Sequence, residues 1–237
     1  MNFDINDLNI IYEDNHIIVV VKPVGIPVQQ DKSGDIDMLT IIKKYIKEKY
    51  NKPGEVYLGL VHRLDRMVGG VMVFAKTSKA ASRISNYIRE KNFKKRYLAI
   101  VNGKIEKIDK SVTLHNYLVK NQRLNMSRVC DKNTKGAKEA ILEYSVISNF
   151  KFKGKDYTKV DINLKTGRHH QIRVQFANIL HPLYGDIKYG NKINKVGQNL
   201  ALWSYYLSFF HPTKDEYLEF TYYPTQLKNH DKIWEEC

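Results

Sequence analysis

The chain has little cysteine, little proline and no long apolar run. Its two cysteines, Cys130 and Cys237, are far apart and match no metal-ligand spacing, which argues against a disulfide scaffold and a cysteine zinc site. With six prolines and thirteen glycines, the chain shows no internal repeat and no flexible interdomain linker. The strongest apolar stretch, Ile17 to Val21, has the length of a strand and not of a membrane span. The opening MNFDINDLNI is acidic and lacks a basic region followed by an apolar one. These absences point to a soluble protein of the cytoplasm. Negative charge is also short: 39 Lys and Arg face 25 Asp and Glu, a formal net charge of +14. Such an excess suits a polyanionic partner, with a general Lys, Asn, Ile and Tyr bias as the alternative source.

What is present suffices for one large core or two closely packed lobes: 237 residues, 43% hydrophobic. Ile10 to Tyr12 and Ile17 to Val21 read as strands around a turn at Glu13 to Asn15. Leu39, Ile42, Tyr45, Ile46 and Tyr50 recur at helical spacing, predicting a helix near 38–50 with a lysine-rich outer face. Thr77 or Ser78 can cap a second helix with Ala81, Ile84, Tyr87 and Ile88 as its buried stripe. Strands are expected at Arg96 to Val101, Val112 to Val119, Ile141 to Ile147, Lys159 to Leu164 and Leu200 to Phe210, the last followed by a polar tail. Lys120 to Lys138 is basic and turn-rich and reads as an exposed flap. Thr166 to Arg168 is a turn. Ile172, Phe176, Ile179 and Leu180 predict a helix ended by Pro182 and Gly185, and Tyr189 to Asn191 marks a loop. Strands and helices mix without strict alternation, predicting an α+β fold with a large, mostly antiparallel sheet and flanking helices.

Two segments concentrate polar chemistry. In HRLDRMVGGVM, Asp65 lies between Arg63 and Arg66 on a loop that feeds a strand. Nearby positive charge keeps such an acid ionised, making it a candidate nucleophile or base. The alternative is a structural partner of either arginine. In LKTGRHHQIR, a helix starting near His169 would put His169 and Arg173 one turn apart, with Arg168 and Arg173 placed for phosphate or carboxylate contact. A solvated basic helix face is the plainer reading. Tyr97 follows Lys94, Lys95 and Arg96 at the start of a buried strand and is a candidate for stacking on a base. His62, Asp65, His169 and His170 match no zinc spacing, and adjacent histidines cannot easily share one tetrahedral ion. A kinase loop is excluded by Leu64 inside the HRD triplet and by the lack of a Gly-rich phosphate loop or DFG.

With KPVGIPV, HRLD, GVMVFAKT, KKRYLAIV, LKTGRHHQIRVQFANILHPLYGDIKYG and LSFFHP in this order, the chain resembles the RluA family of RNA pseudouridine synthases from about Ile11 to Pro224. The resemblance implies the pseudouridine synthase fold as one catalytic domain over residues 1–237, with a central RNA-binding cleft. It implies isomerisation of uridine to pseudouridine in RNA without metal or other cofactor. Asp65 would be the essential carboxylate, attacking ribose C1′ or taking a proton from C2′. Arg173 corresponds to the arginine that pairs with that carboxylate, and Tyr97 to the tyrosine that packs on the target base. Arg63, Arg66, Arg168, His62 and Lys22 are the expected RNA contacts. The expected partner is an rRNA or tRNA stem-loop, and the expected state is a monomer. Many relatives carry an N-terminal S4 domain, which is not expected here. Where the family commonly has Thr-Ser-Gly, this chain has Val68-Gly69-Gly70, so backbone groups would have to support the Asp65 loop if those hydroxyls do so elsewhere. A non-catalytic RNA-binding protein on the same fold is the alternative, and a metal-dependent nuclease a more distant one.

Overall fold

A computed structural model describes residues 7–190 and 192–237; Asn191 and most of the acidic opening stretch lie outside them. The strands are β1 (Ile10–Glu13), β2 (Ile17–Lys22), β3 (Gly59–Leu60), β4 (Gly69–Ala75), β5 (Lys94–Asn102), β6 (Val112–Asn121), β7 (Met126–Cys130), β8 (Lys138–Phe152), β9 (Lys155–Leu164), β10 (Leu202–Phe210) and β11 (Tyr217–Thr221). The helices are α1 (Met38–Lys49), α2 (Ser78–Arg89), α3 (Gln171–Asn178) and α4 (Ile187–Gly190). The architecture is α+β, as expected. No helix among the described residues is long and apolar enough to cross a membrane.

The chain divides into two compact units. One runs to Lys95 and resumes at Ser204–Tyr223; the other is Arg96–Trp203 with Pro224–Cys237. In the first unit the strand order is β1-β2-β4-β10, with β11 on β10 and β3 also on β4. Every residue of β2 and β4 is buried, which explains their unbroken apolar runs: both faces of these strands are covered. Val19 stands opposite Val73 in the antiparallel β2–β4 ladder. Around them Ile17, Val71, Ala80, Ile84, Phe93, Leu207, Phe209, Leu218 and Phe220 form one core. Asp37 caps α1 by accepting the Thr40 N–H, and Thr77 caps α2 by accepting the Ala80 N–H. Of the stripe expected on α2, Ile84 is buried, while Ala81, Tyr87 and Ile88 pack only partly against the core. Gly70 has φ +124°, and a Cβ there would sit 2.1 Å from the Ser204 carbonyl oxygen, so this position requires glycine.

In the second unit the order is β5-β9-β8-β6-β7, and all four ladders are antiparallel. Val174 of α3 packs with Leu118 and Ala140, and Phe176 meets Tyr144 edge-on. Four expectations need correction here and in the tail. The basic flap is not all turn, because β7 pairs with β6 to make it a hairpin with Ser127 buried. The third helix begins at Gln171, after His170 in a left-handed conformation (φ 52°), so His169 lies outside it. Leu180 is 85% exposed rather than part of the buried stripe, because the helix has ended and the chain turns at φ +66°. The tail after β10 is not simply polar: β11 alternates buried Leu218 and Phe220 with exposed residues, and Ile233 and Trp234 are buried near the C-terminus.

Candidate active site

Asp65 occupies a tight turn ahead of β4. Its carbonyl accepts the Val68 N–H at 3.0 Å and its Oδ1 accepts the Met67 N–H at 3.3 Å. Backbone groups of Met67 and Val68 thus close the turn at the segment where the sequence lacks hydroxyls. Leu64, buried, pins one side, and Asp65 itself stays half-buried.

The next carbonyl, that of Arg66, is fixed by the KPVGIPV loop. It accepts the Gly25 N–H at 2.9 Å and the Lys22 ammonium at 3.0 Å. Lys22 also donates to the carbonyls of Pro23 and Ile26, at 2.8 and 2.7 Å. Its side chain is fully buried at the end of β2, opposite Gly70. Burial pushes this ammonium down to about 7, while the Asp65 charge pulls the other way. Three carbonyl acceptors match the three hydrogens of the charged form.

This geometry corrects two expected RNA contacts. Lys22 does not reach solvent, because a buried ammonium needs partners and the loop carbonyls supply them. His62 is also buried, and its Nε2 accepts the Val73 N–H at 3.1 Å, which leaves the proton on Nδ1. Burial, helped by the Lys95 charge, holds His62 well below the usual imidazole range. Its ring packs 5.3 Å from Phe93. Arg66 is only partly available: its Nε donates to the Gly25 carbonyl, and its guanidinium bonds Ser33 and pairs with Asp35 and Asp31. Arg63 is exposed beside Gln29, Leu60 and Val61.

In the second unit Arg173 is 5% exposed and gripped by Asp186, Nε to Oδ2 and Nη2 to Oδ1, each at 2.7 Å. Asp186 also accepts the N–H groups of Lys188 and Tyr189, so one buried carboxylate holds both the guanidinium and the start of α4. Sequence reasoning missed Asp186, which lies between the glycine expected to end the third helix and the loop expected from Tyr189; Tyr189 and Gly190 instead belong to α4, whose first N–H groups Asp186 accepts. Arg168 is exposed and donates from Nε to the Glu139 carbonyl at 2.7 Å. Gln171 fastens that turn, accepting from Arg168 N–H and Thr166 Oγ1. Tyr97 lies in β5 opposite Ile162 and is 5% exposed. His169 and His170 stack at 3.8 Å, with Ser127 and Asn125 on the first ring and the Tyr189 hydroxyl on the second. Among the described residues no group of three or more His, Cys, Asp or Glu could hold a metal ion.

Chemically, the first unit offers a carboxylate on a rigid turn and the second a guanidinium locked in orientation by a carboxylate. Residues 16–178 match the family model described as RNA pseudouridylate synthase. An uncharacterized RNA pseudouridine synthase of Aquifex aeolicus is 35% identical over 90% of this chain and 68% of its own length. Ribosomal large subunit pseudouridine synthase C of Buchnera aphidicola is 34% identical over 93% of this chain and 70% of its own. The chain therefore spans about two thirds of the length of these relatives. Among solved structures, human RNA pseudouridylate synthase domain containing 1 shares the fold, with TM-score 0.77, 24% identity, and coverage of 99% of this chain and 90% of that one.

Proposed function

Because the chain belongs to the RNA pseudouridylate synthase family, we propose that it isomerises uridine to pseudouridine in structured RNA with Asp65 as the essential carboxylate. The observation that carries the reading is that the family match includes the Asp65 turn, whose backbone is fixed by Val68, Gly25 and Lys22. A nucleophile or base must be small, ionised and held in one orientation, and this turn meets those needs.

In the proposed reaction Asp65 attacks C1′ or takes a proton from C2′, and the N1–C1′ bond breaks. The freed uracil rotates and C5 bonds to C1′, which on the first route breaks the Asp65–C1′ bond and on the second is accompanied by return of the proton from Asp65 to C2′. The C5 proton leaves to solvent and N1 ends protonated, so the change is an isomerisation and no oxidant or reductant is needed. Tyr97 packs on the target base, which must leave its stack to be reached. Arg173 steadies charge developing on the base. Asp186 supports this by presetting the guanidinium. Arg63, Arg168 and the basic β6–β7 hairpin contact phosphate, in line with the net charge of +14.

The proposed targets are large-subunit rRNA, tRNA or both, the first suggested by the relative named above. The proposal extends to one catalytic domain acting as a monomer in the cytoplasm. The test is nucleoside chromatography of rRNA and tRNA transcripts incubated with the protein. Pseudouridine is expected in at least one pool. Its absence from both, with RNA binding intact, would favour the non-catalytic RNA-binding reading.

A further inference from the structure

Tyr189 stands where three parts of the second unit meet. Its ring lies 5.3 Å from the Arg173 guanidinium, and its backbone N–H donates to the carboxylate of Asp186 that grips that guanidinium. Its hydroxyl accepts the Ser127 N–H of β7 at 2.8 Å and lies 2.9 Å from Nδ1 of His170, the residue that precedes α3. β7 is the last strand in its order, so an N–H on its outer edge has no ladder partner of its own. The tyrosine hydroxyl supplies one. Ser127 strengthens the junction through its hydroxyl, which donates to the His169 carbonyl at 2.9 Å. Lys188 adds a second point of attachment by donating to the Asn125 carbonyl at the hairpin turn. On that hairpin Lys120, Arg123 and Arg128 are exposed.

A tyrosine that merely filled a core would need a partner for its hydroxyl and nothing more. Here the hydroxyl end bears on the basic hairpin and the ring face bears on a buried guanidinium. We propose that Tyr189 is a positioning residue that couples the β6–β7 hairpin to Arg173, so that seating the hairpin's basic tip on RNA braces the guanidinium. This rests on the pseudouridine synthase reading.

Two substitutions separate the ends. Tyr189→Phe keeps the ring and removes the hydroxyl; Tyr189→Leu removes both. In steady-state pseudouridine formation, Tyr189→Phe should raise KM for RNA about fivefold, the equivalent of one neutral hydrogen bond, with a smaller fall in kcat. Tyr189→Leu should show the same KM change and a kcat lower by about tenfold, the scale of a lost cation–π contact. Hydrogen exchange read by NMR requires no turnover. Both variants should speed exchange of the Ser127 amide, and the Arg173 Nε proton should follow, more in Leu than in Phe. Wild-type kinetics and wild-type exchange in Tyr189→Phe would overturn the proposal. So would loosening at Ser127 with no change at Arg173, or a loss confined to the unfolding midpoint. A wild-type protein that makes no pseudouridine would sink the functional reading instead, and the exchange rates would still decide the coupling.

Discussion

The Asp65 turn and the Arg173 helix use charge in opposite ways. Around Asp65 the cations face inward to the backbone: Lys22 donates to the carbonyls of Pro23, Ile26 and Arg66, and the Arg66 guanidinium is tied to Asp31 and Asp35. Around Arg173 the buried cation is held instead by a buried acid, Asp186. A net charge of +14 therefore does not map RNA contact residue by residue. Some of the lysines and arginines nearest the candidate carboxylate are scaffold, and exposed ones such as Arg63 and Arg168 are the better candidates for phosphate.

The largest break should come from Asp186→Asn. It leaves a buried guanidinium without its full counter-charge and should lower stability by about 3–5 kcal/mol. In protein that still folds, kcat should fall on the order of a hundredfold through misplacement of Arg173. Denaturant titration and pseudouridine formation check the two effects, and an active, fully stable variant would show that Asp186 is dispensable.

Lys22→Met should follow, at about 2–4 kcal/mol, because buried carbonyls lose their donor. Because Lys22 is buried, its loss should leave the salt dependence of RNA affinity in refolded protein nearly unchanged. A clear drop in that dependence would return Lys22 to the RNA interface.

A smaller effect is expected at Glu13, in the first unit. Burial pushes this carboxyl up, but hydrogen bonds from Lys49, Lys76, Tyr45 and Tyr50 outweigh it and bring it down to about 2. A carboxyl lowered on folding adds stability that is complete above its ordinary value near 4.5 and is lost as pH falls through about 2. Glu13→Gln should therefore be less stable than wild type by about 1–2 kcal/mol at neutral pH. The gap should close on acidification across that window, and a gap independent of pH would contradict the assignment. Arg63→Ala should change stability least, within about 0.5 kcal/mol, while lowering the slope of log affinity against log salt by about 1. An unchanged slope would remove Arg63 from the phosphate contacts.

Much of the fold was legible because its signals are periodic or continuous. The runs of β2 and β4 are buried where the pattern puts them, and of the stripe expected on α1 Ile42 and Ile46 are buried, whereas Tyr50 is exposed and Met38 and Ile41 complete the buried face. β7 was hidden because MSRVC is five residues inside a stretch of Lys, Arg, Asn and Gly, and its strand state depends on pairing with β6. The true start of α3 was hidden because the left-handed His170 is held by a distant tyrosine hydroxyl. Within the site, Asp65 stood out as an acid among arginines. The burial of Lys22 and His62 did not, because a lysine that ends a buried strand looks in sequence like one that leaves it. Asp186 had no pattern linking it to Arg173, since the two meet only in the folded chain.

The most direct test compares wild type with Asp65→Asn, following both tritium release from 5-tritiated uridine in rRNA and tRNA and affinity for the same RNA. Release by wild type, its loss in Asp65→Asn and affinity within a few-fold are the predicted result. Undiminished release by Asp65→Asn would show that another group carries the chemistry.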